Sequence, residues 1–192
     1  MKHLPNLITA LRLVLVPFIW KLLWDREYER ALALGAIASI SDAVDGWVAR
    51  KFSATSKIGA YMDPVADKLM LSGAYLIFGL DRVVPAYLTW IVLGRDALIL
   101  LFAAGVYLFT KIRDFPPSRW GKLSTLIQIL TALIILVNHG SIIFDLITYK
   151  LERWMTWLCA AMTVWSAIHY LWLAIERLMA DRGKGSLIES PQ

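Results

Sequence analysis

Cysteine is almost absent from this chain. The single one, Cys159, excludes an internal disulfide, and its apolar surroundings make packing its expected role. Histidine is scarce too. None of the three stands near the chain's cluster of carboxylates, so a zinc site lacks its usual ligands there. Charge is sparse as well: 18% of the 192 residues are charged, 58% are hydrophobic, and mean hydropathy is +0.58. That balance is too apolar for an ordinary soluble domain of this length. Internal repeats and low-complexity tracts are lacking. So is a small-residue cleavage site after Met1-Lys2-His3-Leu4-Pro5. The apolar stretch that follows carries Arg12, Pro17 and Lys21, so it reads as a retained first helix rather than a signal peptide.

What the chain does have is long apolar segments. About 20 mostly apolar residues cross the hydrocarbon core of a bilayer. Six candidates run from Pro5 to Trp24, Ala31 to Arg50, Ile58 to Leu80, Val84 to Thr110, Leu123 to Val137 and Trp154 to Leu178. The expected fold is an all-α integral membrane protein, a bundle of six transmembrane helices. Residues 1–182 are expected to form a single domain and residues 183–192 a loose tail. The fifth segment is short, and Ser141 to Ile147 either extends it or lies at the interface.

The net charge of +5 comes from 20 basic and 15 acidic residues. No nucleic-acid partner is needed to explain it, because the basic residues collect at one set of segment ends. Lys2, Arg50, Lys51, Lys57, Lys111, Arg113, Arg119, Lys122, Arg177, Arg182 and Lys184 make eleven there. Arg26, Arg30, Arg82, Lys150 and Arg153 make five at the other. The positive-inside rule then puts both termini and the loop after Arg50 in the cytoplasm, in a multi-pass protein of the cell membrane. Trp20, Trp24, Trp154 and Trp157 fall near span ends and read as interfacial anchors.

Against that apolar background stand four carboxylates and an arginine: Asp42-Ala-Val-Asp45-Gly46-Trp-Val-Ala49-Arg50, then eight residues, then Gly59-Ala-Tyr-Met-Asp63-Pro-Val-Ala-Asp67. Ionisable groups inside a membrane span are costly and need a compensating role. Asp42 and Asp45 are i, i+3 on the second helix and share a face, with Gly46 on that face one turn from Asp42. Glycine there lets a ligand approach the backbone. Arg50, two turns from Asp42, suits a phosphate. On the third helix Gly59, Asp63 and Asp67 are spaced by four and again share a face. A short basic loop joins the two helices, which makes them antiparallel neighbours with converging polar faces that open to the cytoplasm.

Four clustered carboxylates repel one another unless neutralised. Oxygen-only ligands select hard cations, Mg²⁺ or Mn²⁺, and four carboxylates suit two ions. A two-metal site can clamp a diphosphate and assist an in-line displacement at phosphorus. A base must then activate the attacking hydroxyl, and Asp67 is the candidate. The non-enzymatic alternative is a cation transporter using the same acids, although an ion pathway has no need of Gly46, Ala49 and Arg50 beside them.

The full pattern, Asp-x2-Asp-Gly-x2-Ala-Arg-x8-Gly-x3-Asp-x3-Asp, resembles the signature of the CDP-alcohol phosphatidyltransferase family at every position from Asp42 to Asp67. The opening Pro5-Asn6-Leu7-Ile8-Thr9-Ala10-Leu11-Arg12 is similar to the start of its bacterial glycerol-lipid members. The resemblance implies that Asp42, Asp45, Asp63 and Asp67 ligate two divalent metals and that Asp67 is the base. It also implies that Gly46, Arg50 and Ser56 hold the CDP group, that Gly59 allows close packing against it, and that Asn6 and Thr9 line the cytidine end. Phosphatidyl transfer from CDP-diacylglycerol with release of CMP would follow, from a homodimer.

Asp63-Pro64-Val65-Ala66-Asp67-Lys68 resembles two subgroups, one using glycerol 3-phosphate as acceptor and one using phosphatidylglycerol. Both acceptors are anionic, which suits Lys68, Arg95 and Lys122 as acceptor-binding residues. Arg95 beside Asp96 also reads as a simple ion pair. The glycerol 3-phosphate enzymes usually carry Arg-Glu in the fourth span and a second arginine two turns later. Here Arg95-Asp96 is followed by Ala97 to Ala104 with no basic residue, which looks more like the cardiolipin-forming subgroup. Both acceptors therefore stay open, with glycerol 3-phosphate taken first.

Overall fold

Each apolar segment becomes one helix. The computed structural model describes residues 4–51, 57–109, 119–140 and 147–186, with side chains described at 14–41, 67–102, 105, 119–140, 149–176 and 179. Among the described residues the chain is all-helical: α1 Leu4–Trp24, α2 Tyr28–Lys51, α3 Lys57–Leu80, α4 Ala86–Phe109, α5 Arg119–Gly140 and α6 Ile147–Ser186. The first four match the expected segments to within a few residues. α5 and α6 run longer at both ends, because the main-chain ladder does not stop where the apolar side chains stop. Residues 141–146 and 187–192, which include the expected interfacial segment and most of the expected tail, lie outside the described residues.

Two tight turns join α1 to α2 and α3 to α4, and both are built alike. In the first, Glu27 N–H reaches Leu22 C=O and Arg26 N–H reaches Leu23 C=O. In the second, Val83 N–H reaches Phe78 C=O and Arg82 N–H reaches Gly79 C=O. These are Schellman closures, in which the residue after the helix turns left-handed to satisfy the last carbonyls. Glycine usually takes that position. Here Arg26 and Arg82 do, with φ of 60° and 57°. The Arg26 Nη2 to Asp81 Oδ1 ion pair, 3.3 Å, ties one turn to the other.

The helices close into a ring in the order α1, α2, α5, α6, α4, α3, each packed on the next, and α3 also reaches α5 across the interior. α1 is thus the common neighbour of α2 and α3. The direct convergence expected of α2 and α3 at their joined ends falls on side chains 42–66, outside those described. Leu23, Tyr75, Phe78, Leu88, Val92, Ile135 and Cys159 form the core. Gly73 lies against the Trp20 indole and Gly79 against Thr89, where any Cβ would collide.

The exterior is strongly apolar, and several polar side chains are buried beside the apolar core. Large apolar side chains point outward, among them Phe18, Ile40, Trp90 (72% exposed), Leu101 (74%), Leu126 and Ile168. Thr89, Arg95, Asp96, Ser124, Gln128, Thr131, Thr163 and Ser166 are buried. An apolar exterior of this extent marks a surface that meets something other than water. Among the described residues α5 and the Tyr149–Glu176 portion of α6 are long and apolar enough to cross a membrane.

Candidate active site

The signature residues fall on unbroken helix. Asp42, Asp45, Gly46 and Arg50 lie within α2, and Gly59, Asp63 and Asp67 within α3. The backbone therefore keeps the i, i+3 and i, i+4 registers that place each set on one helix face. Their side chains, apart from Asp67, lie outside those described, as do the side chains of Asn6 and Thr9; Ser56 lies outside the described residues altogether. Asp67 is exposed on α3. No group of three or more acidic, histidine or cysteine side chains forms a metal cluster among the described residues. Three of the four expected ligands are not among them. The donor set itself fits hard divalent ions, being oxygen only and held in register on two helices.

One residue beyond Asp67 along α3 begins a charged cluster among the described residues. Asp96, on α4, is its hub. Its Oδ1 stands 2.7 Å from Arg95 Nη1 and 3.3 Å from Lys68 Nζ. Ser72, one turn along α3 from Lys68, donates to Asp96 Oδ2 at 2.9 Å. Arg95 Nη2 donates to Ser166 Oγ on α6 at 3.2 Å. The Arg95 and Asp96 side chains are only 6% and 9% exposed. Burying such charges costs several kcal/mol each unless partners are supplied, as an estimate of about that size. The hub carboxylate and two serines supply them.

The compensation is incomplete in two ways. Among these described ion pairs two cations face one anion, Asp96. Arg95 Nε is buried with no hydrogen-bond partner among the described residues. An orphaned donor on a buried guanidinium is a costly feature to retain without use. The structure brings Lys68 and Arg95 together on Asp96 and shows the Arg95–Asp96 pairing. Lys122 is exposed in the first turn of α5 and makes no described contact with the cluster.

Ser72, Ser166 and the hub role of Asp96 escape a sequence reading. Only Ser72 leaves a trace, one helical turn from Lys68. Ser166 is a lone hydroxyl in an apolar segment.

A model of the CDP-alcohol phosphatidyltransferase family matches residues 2–165. The chain belongs to this family. Its members generally depend on a divalent metal. The chain is similar to the CDP-diacylglycerol–glycerol-3-phosphate 3-phosphatidyltransferase of Pseudomonas fluorescens, 30% identical over 193 residues that cover 95% of each protein. The enzyme of the same name from Aquifex aeolicus is 33% identical over 136 residues, 68% of this chain and 74% of that one. Rat cardiolipin synthase (CMP-forming) is 32% identical over 117 residues, 60% of this chain but 37% of its own length. As a CDP-alcohol phosphatidyltransferase, the chain is an enzyme of phospholipid synthesis.

Proposed function

We propose that the chain transfers the phosphatidyl group of CDP-diacylglycerol to glycerol 3-phosphate and releases CMP. The observation that carries this choice of acceptor is the cluster of Lys68, Arg95 and Asp96, in which two cations face one anion. It stands one residue from Asp67 with Arg95 Nε unpartnered among the described residues. A phosphate monoester would fill that donor and the leftover charge. Similarity over nearly the full length to a relative named for glycerol 3-phosphate supports the same acceptor.

In this reading Asp42, Asp45, Asp63 and Asp67 hold two Mg²⁺ or Mn²⁺ ions, which when bound supply the positive charge that a diphosphate requires. Gly46, Arg50 and Ser56 bind the CDP group, Gly59 allows close approach, and Asn6 and Thr9 line the cytidine end. Asp67 takes the proton of the acceptor hydroxyl. The freed oxygen bonds to the phosphorus next to diacylglycerol, the bond from that phosphorus to the CMP oxygen breaks, and CMP departs. Lys68 and Arg95 fix the acceptor phosphate, with Lys122 as an outer contact on α5.

The apolar exterior of the helices and their buried polar side chains support a bundle of six membrane spans. The basic bias of the chain supports a cytoplasmic site and cytoplasmic termini, within a domain spanning residues 1–182. A homodimer belongs to the same proposal, through the family resemblance. A second reading has phosphatidylglycerol as acceptor. It is favoured by the absence of any basic residue on α4 after Arg95, since a phosphodiester carries less charge to clamp.

The test is CMP release from CDP-diacylglycerol with the two acceptors in competition and the product identified by mass. Phosphatidylglycerol phosphate, formed only with a divalent metal, is the expected product. Cardiolipin would move the assignment to the second reading. Metal-dependent ion flux into vesicles without CMP release would replace the enzyme by a transporter.

A further inference from the structure

A cavity of about 640 Å³ opens at the opposite end of the bundle from Asp67. It lies between the α3–α4 turn and the start of α6. Gly79, at its rim, is twelve residues from Asp67 along α3, roughly 18 Å at the helical rise. It is a separate place from the catalytic end. Its volume falls in the range of about 300–1,000 Å³ typical of small-ligand sites.

The charges at this end are not evenly used. Arg26 is paired with Asp81 and Arg30 with Glu27. Arg82 and Arg153 both line the cavity, and neither has an ion-pair partner among the described residues. The lining carboxylate, Glu152, does not serve them. Its Oε2 accepts from Asn138 Nδ2 at 2.5 Å and its Oε1 lies 3.6 Å from His139 Nε2. Beside the arginines, Tyr87 and Trp157 stack with ring centroids 5.3 Å apart, and Tyr149 completes an amphipathic wall. Two guanidinium forks without an ion-pair partner among the described residues line the same cavity as three aromatic rings, at the end of an apolar-surfaced bundle, and match a phosphodiester that hangs at a membrane surface.

We propose that this cavity binds the headgroup of an anionic phospholipid from the leaflet opposite the catalytic end, with Arg82 and Arg153 on its phosphate. The inference rests on the membrane-spanning reading above, but not on the acceptor.

The full chain, reconstituted in phosphatidylcholine nanodiscs with and without phosphatidylglycerol, is examined by native mass spectrometry for retained lipid. The native protein is expected to retain phosphatidylglycerol preferentially. Arg82→Gln with Arg153→Gln is expected to weaken that retention about tenfold, equivalent to about 1.4 kcal/mol, while CMP release persists. Equal retention in both proteins would overturn the proposal. Displacement of the lipid by inorganic phosphate would also overturn it, by assigning the site to a soluble anion. A photoactivatable phosphatidylglycerol on the native protein gives a measurement that needs no variant. Labelling is expected within residues 79–87 and 149–157, and labelling elsewhere alone would contradict the site. Loss of CMP release with lipid retention intact would strike the proposed function and leave this site standing.

Discussion

Among the described residues the interior of this bundle holds two polar clusters of opposite character. Between α5 and α6 runs a neutral ladder. Gln128 Nε2 and Ser124 Oγ both donate to Thr163 Oγ1, at 3.0 and 3.3 Å, and Tyr75 OH donates to the Gln128 carbonyl at 2.9 Å. Three residues along α6, Ser166 begins the charged cluster of Arg95, Asp96, Lys68 and Ser72. The side chains of the ladder are satisfied, with no charge involved. The charged cluster sets two cations against one anion and leaves Arg95 Nε unpartnered among the described residues. A cluster that only held helices together would gain by being neutral and complete, as the ladder is. The incomplete one is therefore where we propose that the anionic acceptor binds.

Variants can break or sharpen that contrast. Asp67→Asn, beside the charged cluster, has the largest expected effect. CMP release should fall by about 10²–10⁴-fold, the usual contribution of a general base, with the folded protein intact by size-exclusion chromatography. Asp96→Leu comes next. Removing the shared carboxylate leaves Arg95 and Lys68 without it, which should cost about 3–5 kcal/mol of stability in a thermal melt. Thr163→Val in the neutral ladder should cost only about 0.6–1.7 kcal/mol and leave both substrate KM values unchanged. A change in acceptor KM there would mean that the two clusters are not separate in function. Lys122→Gln should be the mildest, within about 0.5 kcal/mol, because the side chain is exposed. A small rise in acceptor KM is expected of an outer contact, and no change at all would remove Lys122 from the acceptor site.

The contrast also explains what a sequence reading reaches. Helices are legible because apolar runs of span length admit few other structures, and the carboxylate register is legible because acids in such runs stand out. The serines are not. Ser39, Thr125, Thr131 and Thr156 all return their hydroxyls to carbonyls four residues back in their own helices. A hydroxyl in an apolar helix thus has a local partner always at hand, and nothing in the sequence distinguishes Ser72 or Ser166, which reach across to another helix. The ring order is equally hidden, since it depends on which helix faces meet. Arg26 and Arg82 conceal their left-handed turns because no glycine marks them.

Arg95→Gln offers the most direct test, read as separate KM values for the acceptor and for CDP-diacylglycerol. If the charged cluster is the acceptor site, KM for glycerol 3-phosphate rises about tenfold or more while KM for CDP-diacylglycerol holds, since a lost charge-assisted contact is worth roughly 1.5–3 kcal/mol. An equal rise in both, or in neither, would contradict it and leave Arg95 as a structural partner of Asp96.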